Sequence, residues 1–161
     1  MIAEAQLSHP DLVFQLLEGE QLPFADNTFD VVFNSFVLLD IDSKSKLVSI
    51  FKEMKRICKI GGVILSVTNS NFLFEKTWLT VKNNFSENNN LGSGSIAKLY
   101  LSDPGVYIQD YFWSEEDYLN VMKTSGFDII DIFKPLGKPE EGYQWLDELQ
   151  YPPYSIYACP L

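Results

Sequence analysis

The sequence predicts an α/β fold in which two parallel strands flank a helix. The first observation is the apolar run at residues 29–33, which follows a polar turn at residues 25–28 and has the length of a buried strand. The second is the helical spacing of apolar residues from Leu47 to Cys58. The third is the run at residues 63–67, which is apolar enough for a strand covered on both faces. A strand, a helix and a strand in this order give a right-handed crossover between parallel strands.

The ends of this helix can also be predicted. Asp42 or Ser43 is suited to cap its first turn, because a short polar side chain accepts a hydrogen bond from a free backbone N–H there. The pair Gly61 and Gly62 is predicted to stop the helix, since glycine adopts the left-handed cap conformation without a side-chain clash.

The C-terminal third predicts one more helix and two more strands. Ser114 and Asp117 have the spacing of a capping box, which opens a helix that ends at Gly126. Residues 127–133 alternate like a strand, and residues 154–159 form the last strand. Residues 143–149 are predicted to form a short helix between these two strands.

Four short segments carry a resemblance to a known family. They are Leu22-Pro23-Phe24, Phe29-Asp30-Val31-Val32, Glu53-Met54-Lys55-Arg56 and Gly61-Gly62. In this order and spacing they resemble the class I S-adenosylmethionine-dependent methyltransferases, in particular the small-molecule branch of methyltransferase type 11. The resemblance implies a Rossmann-like sheet with an antiparallel C-terminal strand. It also implies a single methyltransferase domain over residues 1–161, in which residues 71–113 form a lid or insertion.

The resemblance implies that the domain is truncated at its N-terminus. The family's first strand, its glycine-rich turn and the acidic residue after its second strand have no counterpart here. Residues 1–5 correspond to the helix after that second strand, and residues 13–17 are predicted to be a strand. Gly92-Ser93-Gly94 lacks a preceding strand and is predicted to be a flexible loop. We therefore expect the strand at residues 29–33 to have an unpaired edge, which favours self-association or pairing with a complementing N-terminal fragment.

S-adenosylmethionine is the cofactor that the resemblance implies, with Glu18, Gly19, Asn34 and Ser35 facing it. Glu18 takes the place of an aspartate that accepts the adenine amino proton, and Gly19 that of a small residue whose N–H meets the adenine ring. Asn34 and Ser35 follow a strand at its carboxyl end, where open α/β sheets bind their ligands. The alternatives are a solvated loop acid for Glu18 and a strand cap for Asn34.

The acceptor pocket has six candidate residues, namely Asn71, Trp78, Tyr107, Asp110, Tyr111 and Trp145. The aromatic side chains either roof a pocket or form local core. Residues 107–111 either orient the acceptor or form a strand with one packed face. No residue is identified as catalytic, because methyl transfer is an in-line displacement that depends chiefly on alignment. His9 and the two cysteines have no metal-binding spacing.

The composition limits the partners. A formal charge of −10 opposes binding to the phosphate backbone of nucleic acids. No apolar stretch is long enough to span a bilayer, and two cysteines without an evident bridge favour the cytoplasm. The sequence thus predicts methyl transfer to a small-molecule acceptor. A non-catalytic remnant or interaction domain that keeps the C-terminal half of the fold is the alternative.

Overall fold

A computed structural model describes residues 2–17 and 21–161. Within these residues the helices are α1 (Ile2–Ser8), α2 (Lys44–Ile57) and α3 (Glu115–Thr124). The larger sheet contains β1 (Phe29–Ser35), β2 (Cys58–Asn69), β6 (Asp131–Phe133) and β7 (Tyr154–Pro160), in the order β1-β2-β7-β6. The smaller sheet contains β3 (Val81–Lys82), β4 (Ile96–Leu101) and β5 (Val106–Tyr111), in that order.

The predicted strand–helix–strand unit is confirmed. β1 and β2 are parallel, and α2 connects them. Ser43 caps α2 by accepting a hydrogen bond from the backbone N–H of Lys46. The helix buries Leu47, Phe51 and Met54 in the main hydrophobic core. The helical spacing of these apolar residues therefore determines which face of α2 covers the sheet.

The predicted end of α2 is wrong. The helix ends at Ile57, and Gly61 and Gly62 lie within β2. Gly62 is required by close packing, because a Cβ atom there would lie 2.7 Å from the backbone oxygen of Asp30 in β1. The glycine pair lets two strands approach each other instead of stopping a helix.

The C-terminal elements are confirmed in kind but not in all their bounds. The capping box of Ser114 and Asp117 opens α3, and β7 is antiparallel to both β2 and β6. β6 is shorter than predicted because Phe127 is buried in the main core, where its ring meets that of Phe51 with centroids 6.1 Å apart. A residue that points into the core in this way is unavailable to extend the edge strand.

The predicted helix at residues 143–149 is absent from the described structure. The segment is instead a turn held by carboxylates. The Glu148 side chain accepts hydrogen bonds from the backbone N–H groups of Leu79 and Leu146, and Asp147 accepts one from Thr77. The bonds from Leu79 and Thr77 are long-range, and they compete successfully with a helix whose sequence gives it only one pair of apolar anchors.

The N-terminal segment matches the prediction only in α1. Residues 13–17 are not a strand, and the Val13 side chain is 95% exposed. Among the described residues β1 is the outer strand of its sheet. The side chains of Val31 and Phe33 on β1 are 54% and 61% exposed. A segment without a strand partner cannot satisfy its backbone groups as a strand, which accounts for the irregular conformation of residues 13–17.

Residues 71–113 contain the smaller sheet and a second hydrophobic cluster. Its buried members are Leu73, Trp78, Val81 and Leu99. The turn at Gly92-Ser93-Gly94 has contacts that a flexible loop would lack. The Ser93 hydroxyl donates a hydrogen bond to Asp117 of α3, and Gly94 lies against the Trp113 ring. The description of residues 71–113 as a lid stays a prediction.

Candidate active site

A cavity of about 550 Å³ lies between the larger and the smaller sheet. One side is formed by Phe36, Leu39 and Asp40 after β1, by Asn69 at the end of β2 and by Tyr154 at the start of β7. The other side is formed by the smaller sheet and the turn before it, through Leu73, Val81, Leu99, Leu101, Ile108, Gln109 and Asp110. The cavity is therefore at the carboxyl ends of the parallel strands β1 and β2, where open α/β sheets bind ligands.

The chain turns sharply into this cavity directly after β1. Phe36 has a φ of 61°, and its N–H donates a hydrogen bond to the Val67 carbonyl of β2. A left-handed conformation is uncommon for a bulky residue and costs roughly 1 kcal/mol or more. It places the Phe36 ring against Tyr154, with centroids 5.2 Å apart. The single 3₁₀ turn Val37–Asp40 then brings Leu39 and Asp40 to the wall.

Asp110 is the buried acid of the cavity. Its residue surface is only 6% exposed, and it lies on the face of β5 that also carries Ile108. One carboxylate oxygen accepts a hydrogen bond of 2.9 Å from the Asn69 side-chain amide. The other oxygen has no hydrogen-bond partner within residues 2–17 and 21–161. A buried carboxylate that keeps one free acceptor oxygen is suited to hold a polar group of a ligand.

The environment of Asp110 makes it a better proton acceptor than an ordinary aspartate. Burial raises the pKa of its carboxyl group, the hydrogen bond from Asn69 lowers it, and the charge of Asp40 raises it further. The net effect is a pKa above the ordinary value of 3.8. No lysine, arginine or histidine of the described chain lines the cavity. The charged side chains of the lining, Asp40 and Asp110, are therefore both acidic, and its other polar residues, Asn69, Gln109 and Tyr154, are neutral.

Of the six residues predicted for the acceptor pocket, the structure places Asp110 in this cavity. Trp78 and Trp145 line a neighbouring cavity of about 480 Å³, which shares Val81 and Tyr154 with the first. The indole N–H of Trp78 donates to the Leu73 carbonyl, so this side chain is also part of the local core.

The other three candidates lie elsewhere. Asn71 accepts a hydrogen bond from the backbone N–H of Glu115 at the start of α3. The Tyr107 side chain is 65% exposed and contacts the Tyr100 ring. Tyr111 packs against the main core. The strand alternative for residues 107–111 is confirmed, because these residues belong to β5.

The predicted cofactor residues are divided between described and undescribed parts of the chain. Glu18 and Gly19 lie outside the described residues. Asn34 and Ser35 are the last two residues of β1. The Asn34 amide donates a 2.6 Å hydrogen bond to the Ser66 hydroxyl, so this group is engaged within the sheet, whereas Ser35 is exposed. Among the described residues, the buried amide oxygen of Asn34 has no hydrogen-bond partner. The described residues do not by themselves form a cradle for S-adenosylmethionine, and the cofactor roles of these four residues stay predictions.

Sequence reasoning missed five polar or aromatic residues of the cavity, namely Phe36, Asp40, Asn69, Gln109 and Tyr154. The strand-end rule that selected Asn34 and Ser35 also applies to Asn69, which ends the next parallel strand. Asp40 carries a weaker signal, an acid that directly follows the apolar run at residues 37–39. The left-handed turn at Phe36 has no sequence signal, since glycine or asparagine would be the usual residue there.

Within the described residues no group of three or more histidine, cysteine or acidic residues is arranged to hold a metal ion. In the same part of the chain, no helix has both the length and the apolarity that crossing a membrane requires.

Comparison with known proteins assigns the fold. Residues 1–66 match the family model described as "Methyltransferase domain". The chain superposes on an S-adenosylmethionine-dependent methyltransferase from Mesorhizobium loti with a TM-score of 0.63 and 17% identity, over 98% of this chain and 74% of the other. For an enzyme of the same description from Clostridium acetobutylicum the TM-score is 0.57 at 17% identity, over 99% and 69% of the two chains.

Curated relatives agree with this assignment. The N-demethylindolmycin N-methyltransferase of Streptomyces griseus is 23% identical over 128 residues, which are 78% of this chain and 54% of the relative. The demethylmenaquinone methyltransferase of Beutenbergia cavernae is 40% identical over 62 residues, which are 38% of this chain and 25% of the relative. The chain thus spans about half the length of the first relative and a quarter of the second. The predicted fold class is confirmed, and the match of residues 1–66 to the methyltransferase family model supports the predicted family.

Proposed function

We propose that this chain, a class I S-adenosylmethionine-dependent methyltransferase by its fold and by the sequence of residues 1–66, provides the acceptor side of a site that methylates a small molecule. The observation that carries the proposal is Asp110, a buried carboxylate with one free oxygen in an apolar cavity at the carboxyl ends of β1 and β2. The names of the two curated relatives, which both specify small-molecule acceptors, support this class of substrate.

In this proposal the apolar walls, Asp110 and Asn69 each have a separate role. When bound, S-adenosylmethionine supplies an electrophilic methyl group. The apolar walls, including Leu73, Leu99 and Ile108, bind the acceptor and exclude water from it. Asp110 orients the acceptor through its free oxygen and takes a proton from it, for which its raised pKa is suited. Asn69 fixes the carboxylate by holding its other oxygen.

The cofactor side of the proposal rests on fewer residues. Ser35 is exposed at the carboxyl end of β1 and is our candidate for a contact to the methionine part of the cofactor. We assign Glu18 and Gly19 to the adenine part on the resemblance alone. Asn34 is assigned a supporting role, because its amide already binds Ser66. We place the activity in the cytoplasm, in keeping with two cysteines that are not bridged, Cys58 and Cys159.

The open edge of β1 supports the further proposal that this chain alone binds the cofactor only weakly and needs a partner along that edge for methyl transfer. Val31 and Phe33 are large apolar residues exposed on the outer strand, and β1 has no partner on one side among the described residues. An edge of this kind is completed by a second copy of the chain or by a complementing N-terminal strand. The alternative function, a non-catalytic remnant or interaction domain, uses the same edge and needs no cofactor.

Calorimetric titration of the 161-residue chain with S-adenosylmethionine and with S-adenosylhomocysteine tests the proposal. We expect saturable heat with both, at affinities as weak as the millimolar range. The variant Ser35→Trp, which fills the strand end, is expected to abolish the heat. The matched control Ser86→Trp alters an exposed serine in a turn before β4 and is expected to leave the heat unchanged. Heat indistinguishable from dilution would refute binding by this chain alone and favour the non-catalytic alternative.

A further inference from the structure

The candidate cavity has a charge pattern that methyl transfer in general does not require. Asp110 lies inside and the exposed Asp40 lies at the rim, while no cationic side chain of the described chain lines the walls. Methyl acceptors include alcohols, thiols, carbon acids and amines, and a negative pocket does not suit all of them equally. The charge pattern of the cavity therefore favours some chemical classes of methyl acceptor over others.

The acidic character depends on the position of the groups and not only on their number. Asp110 is more than nine-tenths buried, and one of its oxygens has no partner among residues 2–17 and 21–161. The Asp40 charge acts on it, since Asp40 contributes to the raised pKa of Asp110. A buried carboxylate without a paired cation is costly, and it is stabilised when a cationic group of a ligand comes within hydrogen-bond distance.

The remaining walls limit the rest of the ligand. They are formed by aliphatic side chains of the smaller sheet and by the aromatic pair of Phe36 and Tyr154. A volume of about 550 Å³ is in the range that accommodates a small organic molecule. The cavity thus suits an apolar body that carries one basic group.

We propose that the acceptor is a hydrophobic primary or secondary amine, whose nitrogen is bound by Asp110 and faces Asp40 while its alkyl or aryl part fills the apolar walls. This inference rests on the proposed function and specifies its substrate class. Alcohols are weaker ligands because they offer only a neutral hydrogen bond. Carboxylates are the weakest ligands of the three because their negative charge would lie between the buried Asp110 and the exposed Asp40.

The reaction balances with the groups present and with S-adenosylmethionine as methyl donor. The bound ammonium group first gives one proton to the Asp110 carboxylate and becomes a neutral amine. The nitrogen lone pair then forms the new N–C bond, while the S–C bond breaks and its electron pair stays on the sulfur. The product leaves as a methylammonium ion, and Asp110 releases its proton to water. The two carboxylates also offset the repulsion between a basic acceptor and a sulfonium donor.

A matched set of ligands tests the inference without any cofactor. 4-Phenylbutylamine, 4-phenylbutan-1-ol and 4-phenylbutanoate share the apolar part and differ at the end group. In calorimetric titrations of the 161-residue chain at neutral pH, we expect the amine to bind at least about tenfold more tightly than the alcohol, as a charge-assisted hydrogen bond requires. The carboxylate is expected to bind more weakly than the alcohol.

Three variants assign the preference to the cavity. Asp110→Asn keeps the acceptor for Asn69 but removes the charge, and it is expected to weaken amine binding at least about tenfold while changing alcohol binding by less than about threefold. Asp40→Asn at the exposed rim is expected to weaken amine binding about two- to threefold, and it gives a result even if Asp110→Asn fails to fold. The control Asp128→Asn removes an exposed charge at residue 128, which does not line this cavity, and is expected to leave all three affinities unchanged.

Equal affinities for the amine and the alcohol, or an amine preference that survives in both cavity variants, would overturn the inference. Methylation assays separate it from the proposed function. Amine binding that depends on Asp110, without methylation by the chain or by its completed form, keeps the inference of an amine site and refutes the methyltransferase proposal. Methylation of the alcohol or carboxylate without an amine preference refutes the inference and keeps the methyltransferase.

Discussion

Replacing Asp117 by asparagine removes the charge that joins three parts of the fold. The Asp117 carboxylate lies 2.5 Å from the Lys44 ammonium of α2 and accepts a 3.0 Å hydrogen bond from the Ser114 backbone N–H at the start of α3. It also accepts a hydrogen bond from the Ser93 hydroxyl in the turn before β4. β4 supplies Leu99 and Leu101 to the candidate cavity, so the same carboxylate connects the body of the fold to the wall of the site.

The size of the effect follows from the pKa of Asp117. Burial alone would raise this pKa, but the bonds from Lys44, Ser93 and Ser114 lower it from the ordinary 3.8 to about 2. Each pH unit between the folded and unfolded values corresponds to about 1.4 kcal/mol, so ionisation of Asp117 stabilises the fold by about 2 kcal/mol. Because the folded pKa is the lower one, this stability is present above pH 4 and is lost as the pH falls from about 4 towards 2.

Urea unfolding followed by tryptophan fluorescence measures the effect. At pH 7 we expect Asp117→Asn to lower the free energy of unfolding by about 2 kcal/mol, since asparagine keeps an acceptor for the Ser114 N–H but lacks the charge. At pH 3 the difference is expected to shrink to roughly half, because much of the unfolded chain is then protonated at this residue. The control Glu116→Gln removes an exposed charge from the same helical turn and is expected to cost less than about 1 kcal/mol.

Two results would refute this reasoning. A loss below about 0.5 kcal/mol at pH 7 would mean that desolvation of Asp117 cancels its bonds. A loss that is the same at pH 7 and at pH 3 would mean that asparagine disturbs packing and that the charge is irrelevant.

Two other substitutions test the strand contacts. Gly62→Ala is expected to lower the free energy of unfolding in urea by about 2 kcal/mol, because its Cβ atom would lie 2.7 Å from a backbone oxygen of β1. Gly92→Ala is the control in the same assay, since its Cβ atom would meet only one atom, at 3.9 Å. If the β1 edge drives self-association, Phe33→Lys lowers the molar mass measured by light scattering towards that of the monomer. The control Ile60→Lys, at a residue of β2 that is 90% exposed, leaves this molar mass unchanged. A chain that is already monomeric would contradict the second expectation.

The sequence correctly predicts those helices and strands that are determined by residues within or next to the element. α2 is recognisable because Leu47, Phe51 and Met54 repeat with the helical period, and α3 because Ser114 and Asp117 satisfy each other's neighbouring backbone groups. The parallel pairing of β1 and β2 follows from the crossover between them. In each case the residues that determine the structure lie within a few turns of the element itself.

The predictions are wrong for elements whose structure depends on residues far away in the chain. Gly61 and Gly62 have the composition of a helix stop, yet the reason for Gly62 is a backbone oxygen of Asp30, more than thirty positions earlier in the chain. The turn containing Glu148 is predicted to be a helix, but the Glu148 carboxylate accepts a hydrogen bond from the backbone N–H of the distant Leu79. Neither contact is visible without the tertiary structure.

The two-residue period of β5 separates the predicted site residues on this strand. Tyr107 and Tyr111 have side chains on the face of β5 opposite to that of Asp110, and neither lines the cavity. The period does not say which face is inward. The neighbouring strand β4 identifies the inward face, because Asp110 pairs with Ala97 and Ile108 pairs with Leu99. Ala97 and Leu99 are both buried. An aspartate on the apolar face of a strand carries a desolvation cost that packing alone gives no reason to accept. That cost is why Asp110, and not the more conspicuous tyrosines, is the residue on which the acceptor chemistry is proposed to depend.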